Sequence, residues 1–259
     1  MPFTPAHIAA ALPLRRLNLV WSGLVVGTMA PDFEYFLRLA PNDGYGHTLP
    51  GTFLLTLPLA LLMLWLFHAF VKLPLVNLLP EGVRRRLVLG EFRFRGVARF
   101  TLVIVSVLVG IATHLAWDSF THPNTWIYRR WPVLREPVDV LFFGPTPVYK
   151  ALQHVSTVLG MGVLLIGLFL WYRRAEPSTE APSLGIPLLR KGIILFVAMA
   201  IALAGAIIRA IVAVGIPANH LAEKRFMGLF VVTLIALLWW QFVLYGITRT
   251  KLEMSKPST

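Results

Sequence analysis

The sequence lacks cysteine and has little charge. Among 259 residues none is Cys and only 14% are Asp, Glu, Lys or Arg, against about 25% in an average soluble domain. The missing thiols exclude a disulfide framework, a thiolate metal site and a cysteine nucleophile. The composition, 57% hydrophobic with a mean hydropathy of +0.71, excludes an ordinary soluble enzyme, because so much apolar surface cannot be buried inside 259 residues. An integral membrane protein is what remains.

Several familiar motifs are also missing. The chain has no G-x-S-x-G, no P-loop and no G-x-G-x-x-G sequence, so the common serine-hydrolase and nucleotide-binding signatures are absent. Lys and Arg outnumber Asp and Glu by 24 to 12, but no segment concentrates basic residues among aromatic ones. We therefore expect no nucleic-acid partner, and we interpret the basic residues through their distribution about a membrane.

Five apolar stretches are each about 20 residues long, the length that crosses a bilayer as a helix. They cover residues 53–71, 100–117, 155–172, 192–216 and 226–247. An earlier stretch, residues 17–30, is too short to span and predicts a buried, interfacial or re-entrant helix. The sequence thus predicts an all-α integral membrane bundle of about five transmembrane helices, preceded by short N-terminal helices.

The predicted chain divides near its middle. Residues 175–191 begin with a run rich in Pro, Ser and Glu, which is typical of a flexible linker. We expect this linker to separate a membrane-embedded part, residues 1–174, from a C-terminal pair of transmembrane helices, residues 192–259.

The basic residues are unequally divided between the two sides of this topology. One side carries 14 Lys and Arg and the other carries 9. The richer side consists of residues 72–99, residues 173–191 and the tail from residue 248. By the positive-inside rule the richer side is cytoplasmic. We predict a multi-pass protein of the cell inner membrane.

The strongest candidate for chemistry ends the second span, in the segment THLAWDSFTH. His114 and Asp118 are four residues apart and therefore share one face of a helix, and two ligands at this spacing can bind one metal ion. Pro123 is expected to end the helix, so that His122 leaves that face. The competing interpretation is an Asp–His pair that only caps the helix end.

Four further candidates come from segments predicted to reach the same, non-cytoplasmic side. His7 follows a predicted N-cap at Thr4, where the positive helix end favours a neutral, metal-binding imidazole. Asp32 lies in the first turn of a helix, His47 lies in a glycine-rich segment that can bend around an ion, and His154 lies near the start of the third span. Taken singly, each residue also fits an ordinary structural role.

Together these segments resemble a bacterial membrane family that is catalogued as a domain of unknown function. The motifs concerned are MPFTPAH, MAPDFEYF, GHTLPG, THLAWDSFTH and LQHVST. More remotely, the order His, Asp, His and then His-x-x-x-Asp is similar to membrane-bound metal-dependent hydrolases and to the zinc-dependent phospholipase C class. By position, that resemblance implies metal ligands at His7, Asp32, His47, His114 and Asp118. It implies a further histidine ligand at His122 or His154.

The first hypothesis is therefore a metal-dependent hydrolase at the non-cytoplasmic membrane surface. A divalent ion, zinc by its ligands, would activate a water, and Asp32 or Asp118 would orient that water or take its proton. The position beside the bilayer suggests a phosphoester or acyl bond of a lipid or lipid-linked substrate. The alternative is a non-enzymatic scaffold or lipid-binding protein with a structural polar cluster. A solute transporter would need its ionisable residues near the bilayer midplane.

Overall fold

The computed structural model describes residues 3–41, 44–90, 92, 94–140, 144–178 and 186–254. Over these residues the protein is all-α apart from one short hairpin. The α-helices are α1 (Trp21–Gly27), α2 (Phe33–Arg38), α3 (Leu49–Gly51), α4 (Leu57–Leu66), α5 (Lys72–Leu78), α6 (Glu81–Arg84), α7 (Val97–Thr121), α8 (Trp126–Arg130), α9 (Val148–Arg174), α10 (Leu188–Val214) and α11 (His220–Met254). The 3₁₀ helices are Thr4–Arg16, Ala30–Asp32, Tyr45–His47 and Pro132–Arg135, and the π-helical turns are Thr52–Thr56 and Phe67–Val71. Strands β1 (Pro137–Val140) and β2 (Gly144–Pro147) pair antiparallel.

Five helical segments are long and apolar enough to cross a membrane, which confirms the predicted number of spans. They are Leu49–Leu78, Val97–Arg130, Val148–Arg174, Leu188–Val214 and His220–Lys251. Each matches one predicted apolar stretch and most extend beyond it at both ends. Only 6% of the apolar window of α9 is buried, so its large hydrophobic side chains face outward, as lipid contact requires. The protein is a multi-pass membrane protein.

The short stretch at residues 17–30 does not form a span. Helix α1 has 7 residues, and the 3₁₀ turn Ala30–Asp32 follows it with a proline at its start. Leu24 and Gly27 of α1 are buried. The prediction of a short buried helix before the first span is confirmed. The helix is short because Pro31 prevents α1 from continuing.

The chain forms two compact units. The first unit consists of Met1–Phe33, Tyr45–Leu61 and Arg93–Arg174. The second consists of Glu34–Gly44, Leu62–Phe92 and Ala175–Thr259. The second unit thus includes two segments from the N-terminal half. The linker predicted at residues 175–191 lies partly outside the described residues, which leave out 179–185, and it stays a prediction.

Within the first unit, α1 and α7 pack backbone against backbone. A Cβ atom added at Gly27 would clash with the carbonyl oxygen of Val107, and one added at Gly110 would clash with the carbonyl oxygen of Leu24. Two glycines therefore permit an approach that any larger residue would prevent. The approach places the carbonyl group of Thr28, just after α1, against the side chains of α7.

The first 3₁₀ helix packs on α9. It has 13 residues, although 3₁₀ helices are usually short. At three residues per turn, Thr4, His7 and Ala10 lie one above another on the same face. A Cβ at Gly160 of α9 would lie 2.8 Å from the carbonyl oxygen of Ala6, so this glycine allows the two helices to come close.

In the second unit, α10 and α11 pack through small residues. Ala202, Ala206 and Ala210 recur every four residues along α10 and are fully buried. The side-chain amide of Gln241 on α11 donates to the carbonyl of Ala198 at 3.2 Å. Small residues at this spacing are typical of transmembrane helix contacts, because they let two backbones approach each other.

Candidate metal centre

The first unit brings together five side chains from four separate segments. His7 lies on the first 3₁₀ helix, Asp32 and His47 end the second and third 3₁₀ helices, and His114 and Asp118 lie one turn apart on α7. Four of the five are buried, and His47 is half-buried. Residues that are up to about a hundred positions apart in sequence thus share one interior site.

Asp118 lies at the centre of this His/Asp cluster. Its Oδ2 atom is 3.1 Å from Nε2 of His114 and 3.7 Å from Nε2 of His47. Its Oδ1 atom is 3.5 Å from Nε2 of His7 and 3.4 Å from Nδ1 of His122. The two oxygens of one carboxylate therefore face two different pairs of imidazoles.

Asp32 is the second carboxylate of the cluster. Its Oδ1 atom lies 3.4 Å from Nε2 of His47 and 3.7 Å from Nε2 of His114. Its Oδ2 atom accepts a hydrogen bond of 2.6 Å from the Thr4 hydroxyl. The predicted N-cap role of Thr4 is wrong, because the helix has Phe3 as its N-cap. The Thr4 hydroxyl instead fixes the orientation of Asp32.

His114 is oriented by the backbone. Its Nδ1 atom lies 2.8 Å from the carbonyl oxygen of Thr28. Because a carbonyl oxygen can only accept, Nδ1 carries a proton and Nε2 points toward the carboxylates of Asp32 and Asp118. A neutral His114 would then present a lone pair to two anionic oxygens, an arrangement that a cation between them, or a proton on Nε2, would relieve. Imidazole ligands of metals are commonly held by such a bond to a carbonyl oxygen.

The segment that carries His47 is fixed by the helix that follows it. The Thr56 hydroxyl donates to the carbonyl of Gly46 at 2.9 Å. A Cβ atom at Gly51 would clash with the carbonyl oxygen of Tyr45, so only glycine permits this bend. These contacts place the His47 imidazole at the edge of the cluster.

Several polar atoms of the cluster have no hydrogen-bond partner of adequate geometry among the described residues. They are His7 Nε2, Asp32 Oδ1, His114 Nε2 and Asp118 Oδ2. Buried polar atoms are rarely left in this state, because each one has lost its hydration. The four atoms face each other rather than the surrounding apolar side chains. Cations bound between them would satisfy these atoms.

The spacing of these atoms fits a metal ion. Two overlapping groups, His7–His114–Asp118 and Asp32–His47–His114, each offer three ligand atoms within 4.8 Å of one another. Nitrogen–oxygen distances within the cluster run from 3.1 to 3.7 Å. Two ligands bound at about 2.1 Å with tetrahedral geometry lie about 3.4 Å apart. The cluster is therefore close to the dimensions of a coordination shell.

The two candidates for a further histidine differ in position. His122 is the C-cap of α7, in extended conformation, as expected from Pro123, yet its Nδ1 remains close to Asp118. His154 lies two turns inside α9. Neither His122 nor His154 belongs to the two groups of candidate ligands, so His122 contacts the cluster through Asp118 without joining either group.

His7 is held in its neutral form. Burial and then the neighbouring His114 lower the pKa of His7 from 6.5 to about 4. The rings of His7 and His114 stack with centroids 3.9 Å apart and planes 19° apart. Two imidazolium ions would repel each other in this arrangement. A neutral imidazole is the form that binds a metal ion.

Two contacts in this site could not be found from sequence. The Thr4 hydroxyl on Asp32 and the Thr28 carbonyl on His114 both depend on how distant segments pack. Gly27 and Gly110 are the residues that permit the second contact. Neither glycine stands in a motif that marks it.

The fold and the cluster define a class: an all-α multi-pass membrane protein that buries imidazoles and carboxylates together in its N-terminal half. The chain belongs to the family described as Domain of unknown function (DUF4184), whose family model matches residues 1–247. This match confirms the resemblance that the N-terminal motifs suggested. No curated protein and no solved structure matches the chain. The more remote resemblance to metal-dependent hydrolases stays a prediction.

Proposed function

We propose that the His/Asp cluster holds one or two divalent metal ions of zinc type and that the protein is a metal-dependent hydrolase at the membrane surface. The observation that carries this proposal is the set of buried nitrogen and oxygen atoms, without hydrogen-bond partners, that face one another at the spacing of metal ligands. Imidazole nitrogens with carboxylate oxygens are a ligand set that zinc prefers.

The candidate ligands form two overlapping groups of three, His7–His114–Asp118 and Asp32–His47–His114, which share His114. Three protein ligands leave one position open, and catalytic zinc sites keep an open position. The His7–His114–Asp118 group therefore suits a reacting ion. Asp118, whose two oxygens face imidazoles of both groups, would connect the two groups.

The reaction that this site suits is hydrolysis. When bound, an ion of this type polarises a substrate oxygen and lowers the pKa of a coordinated water to about 7. Asp32 and Asp118 are the groups within the cluster that can orient that water or accept its proton. The water oxygen attaches to the phosphorus or acyl carbon, the ester bond breaks, and the leaving alcohol takes a proton.

The substrate follows from the location of the site. The cluster includes two residues of a helix that is apolar enough to span a membrane, so a lipid or lipid-linked phosphoester or acyl ester is the substrate that can reach it. The distribution of basic residues favours the non-cytoplasmic side of a bacterial inner membrane. We infer that membrane lipid is the partner of this protein.

The alternative is a non-enzymatic scaffold or lipid-binding protein in which the histidines are protonated and form ion pairs with the two carboxylates. The short nitrogen–oxygen distances fit such ion pairs. However, four imidazoles surround two carboxylates, and the stacked pair of His7 and His114 opposes a charge on both rings. Two carboxylates balance one divalent cation without any protonated histidine, and a metal would also satisfy the buried atoms that lack hydrogen-bond partners. We therefore favour the metal site.

Metal analysis of the purified, detergent-solubilised protein tests the proposal. The wild type is expected to hold at least one equivalent of zinc or a similar ion per chain. His114→Ala and Asp32→Ala are expected to lose it. The matched control is His220→Ala, because the His220 side chain is 77% exposed and lies outside the cluster. Substoichiometric metal that is the same in all four proteins would refute the proposal.

A further inference from the structure

A cleft of about 370 Å³ opens beside the His/Asp cluster within the first unit. Small residues of the first 3₁₀ helix form one wall, namely Ala6, Ala9 and Ala10. Larger apolar residues of α7 and α9 form the other, among them Trp117, Val155 and Leu159. His7 also lines the cleft, so one residue belongs to both the cleft and the cluster.

The cleft results from a mismatch in side-chain size. Gly160 lets the backbone of the 3₁₀ helix approach α9 at Ala6, and the alanines that follow leave space between the two helices. Val155 and Leu159, one turn apart on α9, stand above this space and are 49% and 62% exposed. The result is an open groove with small residues on one side and large residues on the other.

The surroundings of the cleft identify its occupant. Helix α9 is a candidate membrane span, and only 6% of its apolar window is buried. The exposed residues along the cleft therefore meet bilayer hydrocarbon rather than water. A groove of this kind is filled by a hydrocarbon chain. Its volume is near the lower limit of ligand pockets, about 300–1,000 Å³, which suits a single chain better than a whole lipid.

His7 connects the cleft to the candidate chemistry. Its Nε2 atom is 3.5 Å from Oδ1 of Asp118, and His7 belongs to the three-ligand group His7–His114–Asp118. A chain in the cleft would therefore place its polar end beside that group. We propose that the cleft holds one hydrocarbon chain of a lipid ester and presents its scissile bond to the His7–Asp118 side of the cluster. This inference rests on the proposed hydrolase function.

The cleft binds the chain through fit. Hydrocarbon in the cleft replaces hydrocarbon in the bilayer, so binding gains from van der Waals contact with the cleft walls and not from leaving water. The cleft also contributes orientation, because a chain confined to one groove brings its ester to the same atoms each time.

Photolabelling tests this inference. The probe is a phosphatidylglycerol with a diazirine in the middle of one acyl chain, added at low mole fraction to the detergent-solubilised full chain. Mass spectrometry is expected to find severalfold more label at Ala9, Ala10, Val155 and Leu159 than on the opposite exposed face of α9. Ala10→Trp, which fills the cleft, is expected to reduce that label to the level of the opposite face.

The controls separate this inference from the proposed function. Val158→Trp adds the same side chain on α9 outside the cleft, where Val158 is 71% exposed, and is expected to leave the labelling pattern unchanged. Metal content serves as the folding check, and Ala9→Leu replaces Ala10→Trp if the larger change prevents folding. Metal-bound wild type with label spread evenly over α9 would overturn the inference and leave the hydrolase proposal standing. Wild type without metal would overturn the hydrolase proposal, and the substrate assignment with it, whatever the labelling pattern.

Discussion

The two units bury acidic side chains in different ways. In the second unit the buried Glu34 forms an ion pair of 2.6 Å with Arg38, one turn further along α2. In the first unit the buried Asp32 and Asp118 face imidazoles instead, and no Lys or Arg of the described residues forms an ion pair with them. A fixed positive charge neutralises Glu34. The first unit must obtain its positive charge from protonated histidines or from a bound cation.

This difference favours the first unit, rather than the second, as the place of the proposed chemistry. An ion pair with arginine is complete by itself, because arginine is always charged. A cluster of imidazoles around carboxylates gains its full stability only when something positive enters. A chelator treatment and several variants test the contrast between the two units.

Removing the metal should destabilise the protein. We expect a chelator to lower the unfolding temperature of the wild type, since a ligand present at about a thousandfold excess over its Kd stabilises the folded state by about 4 kcal/mol. His114→Ala should not respond, because it lacks the site. Thermal unfolding in detergent with and without chelator measures the effect. An equal shift in both proteins would contradict the prediction.

Asp118→Asn should lose metal affinity, whereas Glu34→Gln should not. The amide removes a charge and one of two oxygens that together face four imidazoles. We expect a loss of more than about a hundredfold, beyond the 10–100-fold that changes around a metal's ligands typically cause. Titration of the metal-free proteins with zinc provides the measurement. Similar zinc affinities for the two variants would contradict the proposed difference between the two units.

Gly110→Ala should destabilise the packing of α1 against α7, which positions the site, although Gly110 is not itself a candidate ligand. The added methyl would clash with the carbonyl oxygen of Leu24, and overpacking of this kind typically costs about 1–3 kcal/mol. Gly162→Ala is the matched control, because nothing lies within 4 Å of a Cβ built there. Thermal unfolding should show a lower stability only for Gly110→Ala. Equal stabilities would mean that the α1–α7 contact is looser than described.

Thr4→Val should weaken metal binding by about tenfold, the smaller end of the effect expected when a metal ligand loses a hydrogen bond that orients it. Valine keeps the volume and removes the hydroxyl that donates to Asp32. Thr4→Ser should retain wild-type affinity, because it keeps the donor. Zinc titration distinguishes the two variants. A loss of affinity in Thr4→Ser as well would assign the effect to packing rather than to the hydroxyl.

Much of the membrane architecture could be predicted from sequence. All five predicted apolar stretches correspond to helices that can span a membrane, because hydropathy is a sum over neighbouring residues and needs no tertiary information. The fourth stretch, residues 192–216, extends two residues past the end of α10 at Val214. The pairing of His114 with Asp118 was also predictable, since residues four apart share a helix face. The β1–β2 hairpin was not predicted. It lies in a proline-containing connection that carries no alternating pattern.

The candidate site, like the fold, could be predicted only in part. The sequence indicated the residue types and the segments of the site, because imidazoles and carboxylates at the ends of apolar spans are conspicuous. Only the tertiary structure decided that His7, Asp32 and His47 meet the α7 pair. It also decided that His122 remains near Asp118 after leaving the helix, and that His122 and His154 both stand outside the two ligand groups. The physical reason is that local periodicity fixes neighbours within one helix, whereas contact between distant segments depends on the close backbone packing that Gly27, Gly110 and Gly160 allow.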